Sequence, residues 1–317
     1  MHRDSSLTPS KDLRWQLTCP RCGWTLDPEA DESEVRCAKC RGLYLCIAGI
    51  WRLLTPEQHL AFDHFVNDYT KIRLAEGRGS EDPDFYRRLP KCDPRHPLAW
   101  QWRFHEQTLR CLTERILPRL GPNLRILDLG AGIGWLSNQL ATRGHHPCAI
   151  DLTIDERDGL AAGRHYASDW PRIQADFDHI PLLANSVDCV IYNASLHYST
   201  DYRNTLAEAL RVLRPNGFIV VLESPVYKNI DSGRRMVAER HAHFERRFGT
   251  RSDAIRSIEY LTWDILAQLG RELELTWLRF YPWYGFRWAM RPWIARLKRK
   301  REPSRFPILL ARKTGAN

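Results

Sequence analysis

Two sets of residues in this chain have the types and spacing to do chemistry. The first is Asp128-Leu129-Gly130-Ala131-Gly132-Ile133-Gly134, an acid and three alternating glycines that follow the apolar pair Ile126-Leu127. An apolar run ending in an acid and a glycine loop reads as a buried parallel strand, a tight turn and the start of a helix, with a small ligand on the turn. The second set is Cys19-Pro-Arg-Cys22 and Cys37-Ala-Lys-Cys40, two Cys-x-x-Cys pairs separated by fourteen residues. That is close to the spacing of a tetrahedral four-cysteine zinc site. Four thiolates leave no open position, so such a zinc is structural rather than catalytic.

The loop selects its ligand by charge and by spacing. The nicotinamide fingerprint would place a third glycine at position 135, which is Trp135 here, and this argues against a dinucleotide. A carboxylate at Asp128 repels a pyrophosphate and favours an ammonium or sulfonium group. S-adenosylmethionine carries both.

With the loop in place, the rest of the chain resembles the class I S-adenosylmethionine-dependent methyltransferases, of the type 11 kind. The resemblance runs from about Gly121 to the C-terminus. Cys148-Ala149-Ile150-Asp151 is similar to the family's second strand, Ala175-Asp176-Phe177 to the end of the third and Val187 to Asn193 to the fourth. Glu208 to Gly217 is similar to the helix and turn before the fifth. The resemblance implies an α/β fold, a doubly wound seven-stranded Rossmann-like sheet whose last strand is antiparallel. It also implies cofactor contacts from Asp128, Gly130, Ala131, Gly132 and Gly134 near the methionine end, Asp151 and Leu152 at the ribose, Asp176 and Phe177 at the adenine, and Asn193 near the methyl group. Asp178 is an alternative to Asp176.

Several elements must position these residues. A helix over Trp135 to Arg143 is expected to aim its N-terminus at the ligand. Thr153-Ile154-Asp155-Glu156 has the form of a capping box, which places a helix directly after Asp151. A further helix is expected from about Ile255 to Leu269, a sixth strand at about Leu273 to Phe280 and a seventh over Phe306 to Lys313. Upstream, residues 1–55 read as the zinc ribbon, 56–120 as a helical connector and 121–317 as the methyltransferase domain. Within the connector, Phe62, Phe65, Tyr69 and Ile72 fall near helical spacing, and a second helix is expected from about Trp100 to Leu117. Tyr69 and Arg73 are candidates for a lid over the cofactor, the alternative being a helix whose aromatics are merely buried.

For the reaction itself the candidates are His197, Tyr198 and Glu223. His197 is a candidate general base, since imidazole titrates near neutral pH, and equally a structural histidine. Alignment alone suffices for many methyl transfers, so a dedicated base is not required. Asn193-Ala-Ser-Leu stands where amino-directed nucleic-acid enzymes carry Asn/Asp-Pro-Pro-Tyr/Phe, which disfavours base amines as acceptors. Cys189 lies in a buried strand and makes a poor nucleophile. The acceptor expected is an oxygen or carbon of a small-molecule or lipid-like compound.

Other features support other readings. The segment Cys37 to Leu54 resembles the small zinc-ribbon activators of tRNA and release-factor methyltransferases, here fused to an enzyme, which leaves an RNA or translation-factor acceptor as the alternative. A non-catalytic scaffold is the third reading. The 317 residues carry a formal net charge of +9, concentrated between Leu275 and Arg301, where no acid occurs. Tyr281 to Arg301 mixes aromatic and basic residues, as suits an anionic surface, either membrane or RNA, or a helix packed on the protein. No run of eighteen apolar residues marks a transmembrane segment, and Met1 to Ser10 lacks the apolar core of a signal peptide. Nine cysteines with four in metal-type pairs suit a reducing compartment, so a cytoplasmic protein is expected, with peripheral membrane association as an option.

Overall fold

The computed structural model describes residues 15–28 and 33–313; Met1 to Ser10 lies outside the described residues. The N-terminal module contains β1 (Leu17–Thr18), β2 (Thr25–Leu26), β3 (Glu34–Arg36), β4 (Leu43–Ile47) and β5 (Ile50–Arg52). The connector follows as α1 (Pro56–Ala75), α2 (Pro83–Arg88) and α3 (Ala99–Cys111), the last running through a π-helical turn at Leu112–Ile116 into α4 (Leu117–Leu120). Helix α1 starts sharply because Thr55 and Gln58 form a reciprocal capping box and Pro56 occupies the first turn, where its missing N–H costs nothing.

The remaining chain alternates strands and helices: β6 (Arg125–Leu129), α5 (Trp135–Ala141), β7 (His146–Asp151), β8 (Arg172–Gln174), β9 (Val187–Asn193), α6 (Tyr202–Val212) and β10 (Leu213–Leu222). After these come β11 (Val226–Tyr227), α7 (Ile230–Phe248), β12 (Leu261–Thr262), α8 (Trp263–Glu272), β13 (Leu278–Phe280), α9 (Phe286–Ala289), α10 (Arg291–Leu297) and β14 (Ile308–Arg312). One sheet has the order β13-β14-β10-β9-β6-β7-β8-β5-β4-β3. Strands β10, β9, β6, β7 and β8 are parallel neighbours, while β14 is antiparallel to both β10 and β13. Every residue of β6 is buried, as a central strand covered on both faces requires. Apolar clusters fill both faces, one under α6 and α8, the other under α2, α3 and α5.

The chain winds from β6 outward to β8 and then returns to β9 on the other side. The crevice beyond the C-terminal ends of β6 and β9 is therefore the switch point where open α/β sheets bind ligands.

The ribbon continues this sheet. Strand β5 pairs parallel with β8, through Ile50 to Arg172, Trp51 to Ile173 and Arg52 to Gln174, so the seven strands are extended to ten. Backbone bonds from Thr18 N to Pro181 O (2.9 Å) and from Leu53 N to Gln174 O (2.9 Å) add to the join. Leu17, Cys19, Leu26 and Tyr44 share an apolar cluster with Leu182 and Ile173.

Three local expectations are corrected and a fourth is extended. No α-helix follows Asp151; a turn leads into a 3-10 helix at Leu160–His165. The Thr153 hydroxyl donates to Asp151 instead of capping, and Asp155 caps a single turn by accepting from Arg157 N and Asp158 N. Gly159 then takes an extended conformation against the backbone of Thr153 and Asp155. The helix expected from Ile255 begins at Trp263 instead, because Leu261 and Thr262 pair with β11 and Thr262 supplies the N-cap. The sixth strand shrinks to three residues, since α8 runs on to Glu272. The second connector helix starts at Ala99 and, through its π-helical turn, reaches Leu120.

Candidate active site

The strand ends bring together residues that are far apart in sequence. Asp151, the last residue of β7, accepts from Gly132 N through Oδ2 (2.7 Å) and from Thr153 N and Oγ1 through Oδ1 (2.7 Å each). Its carboxylate thus holds the glycine loop open, and burial raises its pKa above the usual range. Gly130 lies so close to Ser195 that a Cβ would stand 2.3 Å from the Ser195 Cβ. Gly132 has φ +54° and a Cβ there would meet nothing within 4 Å, so its exposed edge faces open space. Gly134 instead backs onto Trp170.

Two cavities meet at this loop. One, of about 270 Å³, is lined by Leu152, Asp176, Phe177 and Asp178 on one side and by Phe65 and Tyr69 of α1 on the other. Tyr198 stacks edge-on against Phe65 and Tyr69, with centroids 6.0 Å apart in both pairs. Arg73 is held in a bidentate ion pair with Asp158, so α1 is fixed over the cavity. Asp176 accepts from Asp178 N and contacts His179 Nδ1, each at 3.0 Å. Burial pushes the Asp178 carboxyl up to about 6, against the hydrogen bond from Thr205.

These residues fit a nucleoside with an amino-acid tail. The carboxylate at the end of β7 suits vicinal hydroxyls, the slot between Leu152 and Phe177 suits a purine, and the loop backbone suits the tail. Asp128 sits behind the wall. It is wholly buried, accepts from Ser137 Oγ (2.8 Å), and burial lifts its pKa to about 7. It lines neither cavity; its bond to Ser137 ties β6 to α5, rather than placing it beside the methionine end as expected.

The second cavity, about 570 Å³, opens from Gly130, Ala131 and Gly132 toward Asn193, Glu223, Trp288 and Arg291. Asn193 Oδ1 and Glu223 Oε1 are buried there without a hydrogen-bond partner. Ala194 and Glu223 both adopt positive φ, +53° and +52°, an arrangement that costs non-glycine residues energy and concentrates at functional sites. Glu223 Oε2 lies 2.6 Å from His105 Nδ1, and both residues line the cavity. A carboxylate in this position orients an imidazole.

His197 also lines this cavity, yet it is buried, with Nδ1 3.5 Å from Ser224 Oγ. Burial, assisted by Arg240, depresses its pKa to about 3. A ring that stays neutral down to that pH accepts protons poorly. His105 was missed because nothing local marks it. It is one polar position on α3, and its partner lies 118 residues away.

The four cysteines of the ribbon converge. The Sγ atoms of Cys19, Cys22, Cys37 and Cys40 all lie within 4.8 Å of one another, with Cys19–Cys40 at 3.5 Å and Cys22–Cys37 at 3.6 Å. A tetrahedron with zinc–sulfur bonds of about 2.3 Å has edges of about 3.8 Å, so the donor set fits zinc. Among the described residues it is the one such cluster.

Comparison with known proteins gives matches over part of the chain. Residues 127–221 match the model of the methyltransferase domain, type 11. The chain is similar to demethylmenaquinone methyltransferase of Corynebacterium urealyticum, 35% identical over 104 residues, which are 33% of this chain and 43% of that protein. It is similar too to malonyl-[acyl-carrier protein] O-methyltransferase of Gallionella capsiferriformans, 30% identical over 168 residues, or 50% of this chain and 52% of that one. In both cases the match spans about half or less of the relative's length. Among solved structures, YcgJ protein from Bacillus subtilis aligns with 67% of this chain and 100% of its own, at 12% identity and a TM-score of 0.49.

Proposed function

We propose, from the premise that residues 127–221 are a methyltransferase domain, that the chain transfers a methyl group from S-adenosylmethionine to an oxygen or carbon of a small-molecule or lipid-like acceptor. The observation that carries this reading is the contiguity of the two cavities at Gly130 and Asp151. When bound, S-adenosylmethionine supplies an electrophilic methyl on a good leaving group. Asp151 would hold the ribose, Asp176 and Phe177 the adenine, and the loop from Gly130 to Gly134 the methionine end. Phe65, Tyr69 and Tyr198 exclude water above them.

In the larger cavity, His105 and Glu223 are placed to receive the proton of an acceptor hydroxyl or acidic carbon. Their 2.6 Å contact keeps the proton on the dyad while the acceptor atom attacks. Asn193 would orient the acceptor through its unpartnered oxygen. Such a dyad suits an O–H or an activated C–H, and both relatives described above carry names of small-molecule or carrier-bound methylation.

We assign zinc to the four cysteines as a structural ion. Their thiolates fit a reducing, cytoplasmic setting. Tyr281 to Arg301 is the candidate contact with an anionic surface, and no helix among the described residues is long and apolar enough to cross a membrane. The domain limits 1–55, 56–120 and 121–317 remain our division of the chain by role, with β3, β4 and β5 of the first sharing a sheet with strands of the third.

The test is transfer of a labelled methyl group from S-adenosylmethionine into a panel of phenols, enols, carboxylic acids and total RNA. Label in an organic-soluble product supports the reading. Label confined to RNA or protein would favour the translation-related alternative suggested by the ribbon. A folded protein that binds no cofactor would be a scaffold.

A further inference from the structure

We propose that the segment carrying α9 and α10 docks on the surface of an anionic lipid bilayer. The two short helices run nearly end to end and have two distinct faces. Tyr284, Trp288 and Arg291 turn inward. Tyr284 stacks on Phe104 with centroids 3.7 Å apart, Trp288 packs on Phe104 and Phe306, and the Arg291 guanidinium lies 3.6 Å over the Trp288 ring. These contacts fix which side faces out.

The outer side is apolar. Phe286, Met290, Trp293, Ile294 and Leu297 recur at steps of three and four residues, so they share one stripe. They are exposed, Leu297 by 85%, Phe286 by 74% and Trp293 by 68%. With Tyr281 and Trp283, seven of the sixteen exposed large hydrophobic residues among those described fall within seventeen positions. Single exposed apolar residues are ordinary, whereas a contiguous group marks a binding surface.

Charge selects the partner. Arg287, Arg296, Lys298, Arg299 and Lys300 flank the stripe, all exposed, and no acid occurs from Leu275 to Arg301. Among the described residues none of these five is in an ion pair; only Arg301 is, with Glu239. An anionic surface would meet a cationic rim around an apolar centre. The aliphatic members decide between lipid and RNA. Ile294, Leu297 and Met290 have no ring on which a base could stack, so nucleic acid leaves them in water, while acyl chains cover them. Because Trp288 and Arg291 line the larger cavity from the inner face, docking would also bring that cavity against the bilayer, where a lipid-like acceptor dissolves.

The test is co-sedimentation of the full chain with vesicles of phosphatidylcholine alone or with a third phosphatidylglycerol. We expect binding to the anionic vesicles, weakened by salt, and at least about tenfold weaker binding to neutral ones. The triple variant Phe286→Ser, Trp293→Ser, Leu297→Ser should lose binding by about tenfold or more. The charge variant Arg296→Glu, Lys298→Glu, Arg299→Glu, Lys300→Glu should lose the preference for phosphatidylglycerol. Calorimetric binding of S-adenosylmethionine, measured on the same proteins, should be unchanged and reports folding and the cofactor site separately. Failure to bind vesicles, binding unaffected in the triple variant, or binding of single-stranded RNA that the triple variant abolishes would each overturn the proposal. Loss of cofactor binding with intact vesicle binding would overturn the methyltransferase reading alone.

Discussion

The two cavities are built differently. The smaller one has a floor of strand ends and backbone: Gly130 after β6, Asp151 closing β7, and Asp176 just past β8. Each part follows from one rule, that ligands sit at the C-terminal edge of a parallel sheet. The larger one adds to the loop edge at Gly130, Ala131 and Gly132 side chains from three distant segments, with His105 from α3, Glu223 beyond β10, and Trp288 and Arg291 from the C-terminal helices. A site fixed by backbone can keep its ligand while the acceptor side changes. In the proposed reading, cofactor binding rests on the strand ends and the loop, and acceptor specificity on the side chains of the second cavity.

The sharpest way to separate them is Glu223→Gln. It leaves the small cavity intact and removes the carboxylate from the dyad, so kcat should fall about 10²- to 10⁴-fold with cofactor affinity unchanged. Steady-state kinetics beside calorimetry would show it, and an equal loss in both would break the distinction.

Zinc removal should act on the other side. Strand β5 pairs with β8, which leads into Asp176, so chelation should free that sheet edge and lower the melting temperature by about 10 °C. The KM for cofactor should rise more than the KM for acceptor. If both rise alike, the ribbon supports the whole sheet rather than one cavity.

A smaller effect is expected at His197, whose folded pKa of about 3 lies below the ordinary 6.5. The unfolded chain binds this proton more readily, so stability is complete above about pH 6.5 and declines as pH falls toward 3. The contribution lost at pH 5 is about 2 kcal/mol, and His197→Gln should flatten that slope in denaturant titrations at pH 7 and 5. The pH–rate profile above pH 6 should show no inflection from this residue. A shared inflection removed by the variant would restore His197 as the base.

Trp288→Ala should have the smallest effect. It opens one wall of the larger cavity, raising the KM for acceptor about tenfold, or about 1.4 kcal/mol, without altering cofactor affinity.

The same contrast explains what the sequence discloses. The glycine loop and the strands that end at Asp151 and before Asp176 are legible because each is a local pattern in a fixed order along the chain, while the order of strands in the sheet is what the family resemblance implies. The two Cys-x-x-Cys pairs are legible for the same reason. The His105–Glu223 contact is not, since it joins residues 118 positions apart with no motif around either. The capping box at Thr153 misled because Asp151 accepts the hydroxyl that a cap would need. The addition of β5 to β8 was equally hidden, as a three-residue strand carries too little pattern to announce its partner. The stripe from Phe286 to Leu297 was visible, but not that it faces outward, which depends on Tyr284 and Trp288 finding Phe104.

The central claim, that the loop and Asp151 form an S-adenosylmethionine site, is tested most directly by calorimetry on zinc-replete protein with an Asp151→Ala control. The account predicts one site per chain and affinity at least about 100-fold weaker in the control, as expected when hydrogen bonds to a charged partner are lost. No binding by the folded wild-type chain, or equal binding by the variant, would contradict it.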